Sequence, residues 1–179
     1  GQHALTTASR FKNSFVTAID LSLNSLSYAK RKSKELSIKN IEFIQIDILD
    51  LKKLNAKFDI IESVGVLHHM KNPIDGLDIL INLLNKNGMI MLGLYSKIAR
   101  KHIEIIRTQI KKLNLNINNE TIKNYRDEMI KSNNKDYKLI KESTEFYSIS
   151  NLRDLLFHSH ENTFILPEIN KHLKKLNLR

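Results

Sequence analysis

The sequence of 179 residues contains no cysteine, which excludes disulfide bonds, thiolate nucleophiles and cysteine-ligated zinc sites. Because disulfides are rare in reducing compartments, we expect a cytoplasmic protein. No apolar run approaches the roughly 20 residues that span a bilayer. Residues 1–7 also lack the basic and apolar regions of a signal peptide. These absences predict a soluble protein with no membrane association.

Aromatic side chains form only 7% of the sequence, and few of them lie among the lysines and arginines. The net charge of +10 could indicate binding to nucleic acid. Proteins that bind single strands, however, combine basic grooves with aromatic side chains on which the bases stack, and this sequence has few of them. The basic residues are scattered along the chain rather than gathered in one stripe. The pattern favours a solvated charged surface and argues against a nucleic-acid partner.

The first 95 residues alternate helical and extended patterns with short polar joins, which is typical of βαβ units and a parallel sheet. Predicted strands cover residues 14–19, 41–46, 58–63 and 89–95. The last of these is almost entirely apolar, as in strands that are buried on both faces. Helices are predicted at residues 4–11, at 22–36, and from Asn72-Pro73 to a stop at Asn87-Gly88.

The alternation ceases beyond Tyr95. Residues 97–113 predict an amphipathic helix, residues 114–143 are polar and weakly helical, and residues 150–158 predict another short helix. Pro167 can begin a last helix. We therefore divide a single domain into a core at 1–95, a helical insertion at 96–163 and a final core helix at 164–179.

Two carboxylates follow successive predicted strands, at the sheet edge where ligands of open parallel sheets bind. Asp20 ends the first strand, 19 residues after Gly1, close to the roughly 20-residue spacing at which an acidic residue accepts ribose hydroxyls. Asp47 ends the next strand. Either residue alone could be a simple turn or cap residue. Together they favour a site for adenosine.

Five short motifs occur in an order that resembles the class I S-adenosylmethionine-dependent methyltransferases, of the methyltransferase type 12 sort. They are Gly-Gln-His at 1–3, Ala-Ile-Asp-Leu-Ser at 18–22, Gln-Ile-Asp-Ile-Leu-Asp-Leu at 45–51, Phe-Asp-Ile-Ile at 58–61 running on to Leu-His-His at 67–69, and Asn-Gly at 87–88. The resemblance covers residues 1–95 closely. It implies an α/β fold with a Rossmann-like, doubly wound sheet, and S-adenosylmethionine as cofactor.

The strings at residues 62–69 and 154–158 also look like a bacterial subset of these enzymes that is often found behind tetratricopeptide repeats. That likeness implies a possible upstream repeat domain in a complete protein. The family's first strand and first two glycines should precede Gly1, and its last two strands should follow the chain's end. We therefore expect a fragment truncated at both ends, with a strand-wide gap between the strands at 14–19 and 58–63.

The resemblance also implies a set of cofactor contacts. The methionine portion would meet Gly1, the last glycine of a G-x-G-x-G loop, and its neighbour Gln2. The remaining contacts are Asp20 with the ribose, Leu21 and Ile48 with the adenine ring, Asp47 with the adenine amino group, and Glu62, Ser63 and Val64 beside the methionine end and the sulfonium.

The incoming substrate would face Leu67, His68, His69 and Tyr95. The implied reaction is attack by a substrate nucleophile on the sulfonium methyl, for which the enzyme supplies alignment and exclusion of water. His68 or His69 could take the proton of a hydroxyl or ammonium acceptor. The alternative is that one of them caps or packs the loop. The insertion would then be a substrate cap.

His158-Ser-His160-Glu161 superficially resembles a metal cluster, but too few further ligands lie nearby, so we predict a loop and no metal site. Two rival functions remain. A nicotinamide-dependent oxidoreductase would also need an acidic residue near position 20, but it would not account for Asp47 with Leu-His-His. A noncatalytic Rossmann-like binding or interaction module is the stronger alternative. The methyl acceptor, which we expect to be a small molecule, is not identified by the composition.

Overall fold

The computed structural model of the protein describes residues 2–158, 160–176 and 178. The predicted role of Gly1 therefore lies outside the described residues. Helices and strands follow in this order: α1 (Gln2–Arg10), β1 (Val16–Asp20), α2 (Leu23–Glu35), β2 (Ile41–Gln45), β3 (Phe58–Val64), α3 (Pro73–Asn82), β4 (Leu84–Gly93), α4 (Lys101–Lys112), α5 (Asn119–Lys131), α6 (Lys135–Lys141), α7 (Ile149–Phe157) and α8 (Leu166–Lys175). Short 3₁₀ turns cover Ile48–Lys53, Leu67–His69 and Thr144–Tyr147.

Two compact units divide the chain. The first contains the residues up to 59 together with 79–87, and the second contains 60–78 together with the residues from 88 onward. In the part of the chain that the structure describes, no helix is long and apolar enough to cross a membrane.

In the first unit, β1 and β2 form a parallel pair in which Val16 lies opposite Ile41 and Asp20 opposite Gln45. Their β-branched residues suit a pleated, half-buried surface. Helix α2 begins where predicted, because the Ser22 side chain accepts a hydrogen bond from the Ser25 amide at 3.2 Å. The helices bury a short apolar stripe at helical spacing: Leu5 and Ala8 on α1, and Leu26 and Ala29 on α2.

The boundary between α3 and β4 differs from the prediction. Helix α3 begins at Pro73 as expected but ends at Asn82, and β4 begins at Leu84, five residues before the predicted strand. Asn87 lies inside β4 with a φ of 67°. Because asparagine tolerates this left-handed conformation, the Asn-Gly pair produces an irregular strand here instead of a helix stop.

Strands β3 and β4 run in the same direction. The Phe58 amide donates to the Leu83 carbonyl at 2.8 Å, and the Gly65 amide donates to the Gly93 carbonyl at 3.2 Å. The prediction that β4 is buried on both faces is wrong, since Met89 and Met91 are 65% and 44% exposed. Apolar content alone could not reveal that these two methionine side chains are exposed. The predicted gap between β1 and β3 stays a prediction.

The insertion is more regular than its polar sequence suggested. Residues 114–143 contain α5 and α6. Asn118 and Asn134 cap their N-termini, since each asparagine side chain accepts a hydrogen bond from an amide of the first turn at 2.9 Å. Helices α4 to α7 then share one apolar core: Ile103, Ile106, Ile110, Ile122, Tyr125, Met129, Tyr137, Ile140, Phe146, Leu152, Leu155 and Leu156.

Candidate functional site

Asp20 and Asp47 lie at the same edge of the β1–β2 pair. Asp20 is the last residue of β1, opposite Gln45, and Asp47 follows two residues after Gln45 in an extended conformation. Because strand residues alternate between faces, Asp47 shares the face of Gln45 and therefore of Asp20. Strand spacing and rise place the two Cα atoms roughly 8 Å apart.

Each of these carboxylates also supports its own turn. Asp20 Oδ1 accepts from the Ser22 amide and Asp47 Oδ1 accepts from the Leu49 amide, both at 2.8 Å. The second oxygen of each has no protein partner among the residues that the structure describes. A carboxylate has two acceptor oxygens, so the turn role and a ligand role are compatible at both positions.

Apolar side chains accompany the two carboxylates. Leu21 is 65% exposed and Leu49 is 43% exposed, while Ile48 is half-buried. Gln45 was not among the predicted site residues. It stabilises the turn after β1, because its Nε2 donates to the Leu21 carbonyl at 3.0 Å. An adenosine offers two ribose hydroxyls, an amino group and an apolar ring. Two acceptors beside exposed apolar side chains fit that chemistry.

The end of β3 provides the next group of predicted residues, within the second unit. Glu62 is exposed, Ser63 is 6% exposed and Val64 is half-exposed. The Ser63 hydroxyl is buried without a hydrogen-bond partner in the described residues. Val64 packs so closely on Gly93 that a Cβ added to Gly93 would lie 2.6 Å from Val64 Cγ1. Only glycine therefore allows β4 to lie against β3 at this point.

The loop after β3 turns sharply at Gly65, whose φ is +77°. Leu67 and His68 are each only 1% exposed, whereas His69 and Tyr95 are partly exposed. Of the four residues predicted to face the substrate, His69 and Tyr95 are thus the two that are accessible in this structure.

His68 stacks on Tyr95, with ring centroids 3.6 Å apart and planes inclined by 24°. The Arg100 guanidinium lies 3.7 Å from the Tyr95 centroid. At these distances the two groups cannot share one face, so Tyr95 is sandwiched between them. Neither His68 ring nitrogen has a hydrogen-bond partner within the described chain, although the Gly93 backbone lies close. Burial, with a smaller effect of His69, lowers the pKa of His68 to about 4.

His69 meets the C-terminal part of the insertion. Its ring lies 4.1 Å from the His158 ring, and its Nδ1 lies 3.3 Å from the His160 carbonyl oxygen. Burial lowers the pKa of His69, and the nearby His158 lowers it further, against opposing effects of the His160 carbonyl and Glu161. His158, His160 and Glu161 are therefore part of this cluster, which the sequence did not predict.

Glu161 forms the charged centre of the same cluster. It binds Arg100 through two bonds of 2.8 and 2.9 Å and meets Arg107 Nη1 at 3.2 Å. The Glu161 side chain is 6% exposed, and those of Arg100 and Arg107 are 14% and 9% exposed. No local sequence signal could have found this triad, because its members lie 54 and 61 residues apart along the chain.

A family model described as a methyltransferase domain matches residues 1–153. The chain is 32% identical over 96 residues to ubiquinone biosynthesis O-methyltransferase from Glaesserella parasuis, covering 51% of this chain and 40% of that protein. It is 42% identical over 53 residues to tRNA U34 carboxymethyltransferase from Campylobacter fetus, covering 30% of this chain and 19% of that protein. The chain thus spans less than half the length of either relative.

Solved structures share the fold across nearly the whole chain. PKMT2 from Rickettsia typhi has a TM-score of 0.75 at 20% identity over 98% of this chain and 36% of its own. Its complex with AdoHcy has a TM-score of 0.69 at 22% identity, over 95% and 35%. The plantazolicin methyltransferase BamL, in complex with a triazolic desmethylPZN analog and SAH, has a TM-score of 0.57 at 20% identity, over 98% of this chain and 50% of its own. The predicted Rossmann-like α/β fold class is confirmed.

Proposed function

The chain belongs to the methyltransferase domain family, with S-adenosylmethionine as its cofactor, and we propose that it binds this cofactor for methyl transfer to a small-molecule acceptor. The proposal rests above all on the carboxylates of Asp20 and Asp47, which lie at the carboxyl ends of two adjacent parallel strands. Each uses one oxygen in its own turn, so its second oxygen can accept a hydrogen bond from a ligand. When bound, the cofactor supplies a sulfonium methyl group that a nucleophile can attack in line. The similarity to an enzyme of oxygen methylation favours a hydroxyl acceptor.

Different residues of this chain would contact different parts of the cofactor. Asp20 would accept from the ribose and Asp47 from the adenine amino group, while Leu21 and Ile48 would cover the adenine ring. The methionine end would meet five residues: Gly1, Gln2, Glu62, Ser63 and Val64. The helices α4 to α7, with their own apolar core, would form the substrate cap.

A test of cofactor binding follows from Asp20. Titration of the full chain with S-adenosylhomocysteine should raise its unfolding free energy by about 2.7 kcal/mol at a hundred times the dissociation constant, whereas NAD should not. Asp20→Asn keeps an oxygen for the Ser22 amide but removes the charge, so it should weaken binding by roughly 1.5–3 kcal/mol, or about 10- to 150-fold. Calorimetric titration measures the dissociation constant.

Asp59→Asn is the matched control. Asp59 lies near the start of β3, where it accepts from Asn85 at 2.7 Å, away from the carboxyl ends of the strands. This variant should bind S-adenosylhomocysteine as the parent does. An unchanged dissociation constant for Asp20→Asn would remove Asp20 from the site, and stabilisation by NAD alone would favour an oxidoreductase instead.

We propose His69 as the general base and His68 as a packing residue. His68 is buried and stacked, whereas His69 is partly exposed. A carbonyl oxygen can only accept, so the contact with His160 requires the proton of neutral His69 on Nδ1. The lone pair is then on Nε2, which is the nitrogen that would take the acceptor's proton. Burial keeps the ring neutral near pH 7 by lowering its pKa.

Turnover measurements test this assignment. With small phenols as acceptors, His69→Gln should lower kcat by 10²- to 10⁴-fold, the usual contribution of a general base, and leave S-adenosylhomocysteine affinity nearly constant. His172→Gln is the matched control, because His172 lies on α8 and is not among the described residues that contact His69. Parent turnover in His69→Gln would mean that the proton leaves by another route.

A further inference from the structure

Residues His160, Glu161 and Asn162, which we call the clamp, contact the loop that carries His68 and His69. The Asn162 amide donates to the His68 carbonyl at 2.7 Å. Its side-chain Nδ2 donates to the same carbonyl at 3.2 Å and to the Met70 carbonyl at 2.7 Å. Asn162 therefore donates hydrogen bonds to the two backbone carbonyls on either side of His69, although it lies more than 90 residues away in the sequence.

The other two clamp residues complete the arrangement. The carbonyl of His160 lies 3.3 Å from His69 Nδ1. Glu161 ties the clamp to Arg107 of α4 and to Arg100 just before that helix, with its carboxylate 6% exposed. The clamp is thus held on one side by a buried ion triad and on the other side by the loop.

We propose that Asn162 is a positioning residue for His69: it holds the loop against the clamp, keeps the His160 carbonyl on Nδ1, and so determines which ring nitrogen is basic. The His69–His160 contact, at 3.3 Å, is long for a hydrogen bond and depends on the shorter bonds beside it. This inference deepens the proposed function and rests on it, since the choice of nitrogen matters to methyl transfer only if His69 is the base.

The tautomer of His69 can be measured without any methyl acceptor. Nitrogen chemical shifts of the imidazole rings in the ¹⁵N-labelled full chain report which nitrogen carries the proton, and the His69→Gln spectrum identifies the His69 signals among the seven histidines. In the parent at neutral pH, Nδ1 should be the protonated nitrogen. Asn162→Leu keeps the size of the side chain and removes its two donated bonds without adding charge. It should lower the ratio of the Nδ1-protonated to the Nε2-protonated form by about fivefold, the effect of losing one ordinary hydrogen bond.

Asn40→Leu is the matched control. Asn40 Nδ2 donates to three backbone carbonyls of the first unit, those of Ala8, Phe11 and Ser14, at 2.9 to 3.2 Å. This variant should lose a comparable amount of stability and leave the His69 tautomer ratio unchanged. If Asn162→Leu does not fold, Asn162→Ala removes the same donors with a smaller side chain and serves in its place.

The outcomes separate the two proposals. A ratio that changes in the Asn162 variant but not in Asn40→Leu supports the positioning role. A ratio that is unchanged in both, or that changes equally in both, overturns it. Failure of S-adenosylhomocysteine binding, or parent turnover in His69→Gln, would instead overturn the proposed function, and neither result depends on the nitrogen spectra.

Discussion

At the scale of single residues, the two adjacent histidines illustrate how neighbours assign different roles to one residue type. His68 is closed in by Tyr95 and offers no accessible nitrogen, whereas His69 retains an exposed fraction and a carbonyl on one nitrogen. The sequence predicted that His68 or His69 takes the acceptor's proton, with the alternative that one of them caps or packs the loop. It could not choose between them, because the choice depends on where Tyr95 and the clamp lie.

His68 should make stability depend on pH. Its pKa is about 4 in the folded protein and about 6.5 when unfolded, and the groups that face it are His69, Tyr95, Arg100 and Glu161. Between these values the unfolded chain binds a proton that the folded chain does not, so the unfolding free energy falls as pH falls from 6.5 to 4. We expect this residue to contribute a loss of about 2 kcal/mol, after allowing for solvent screening.

Urea denaturation at pH 7 and pH 4 measures this contribution. His68→Phe keeps the ring contact with Tyr95 and removes the titration, so its loss between the two pH values should be about 2 kcal/mol smaller than that of the parent. His172→Phe, on α8, is the control and should lose as much as the parent. Equal losses in His68→Phe and the parent would show that His68 is not the group responsible.

At the scale of elements, the ion pairs of Glu161 with Arg100 and Arg107 connect α4 to the clamp. Arg107 is buried on the apolar face of α4, where its guanidinium also donates to the Leu155 and His158 carbonyls. Burial lowers the pKa of Arg107 and the Glu161 carboxylate opposes that effect, so the guanidinium remains charged. Helix α4 is therefore joined to Glu161 by charge and to the Leu155 and His158 carbonyls by hydrogen bonds.

Glu161→Gln should destabilise the protein strongly. It leaves two buried guanidinium groups without their carboxylate, and removal of one partner from a buried ion pair typically costs about 3–5 kcal/mol. Urea denaturation at pH 7 measures the change. Glu35→Gln removes an exposed carboxylate that pairs with Arg31 and Lys32 on α2 and should leave the midpoint unchanged. A midpoint for Glu161→Gln equal to that of the parent would mean that the triad does not stabilise the fold.

At the scale of the whole molecule, the predicted insertion at 96–163 contains helices α4 to α7, which share an apolar core of their own. Family membership rests on residues 1–153, so it extends through most of the insertion as well. The net charge of +10 accompanies exposed lysines on several helices of both units, in keeping with the scatter along the sequence. The predictions of an upstream repeat domain and of truncation at both ends stay predictions.

Features that arise from local physics could be predicted from the residues alone. The period of apolar residues predicted most strands and helices, Ser22 and Asn72-Pro73 predicted helix starts, and the carboxylates after β1 and β2 predicted one edge of the sheet. Only the folded chain reveals which histidine is accessible and which residues contact the loop that carries it. These answers depend on Tyr95, which stacks on His68, and on Asn162 and Glu161, whose contacts span 54 to 94 residues. No periodicity or spacing encodes a contact between segments so far apart.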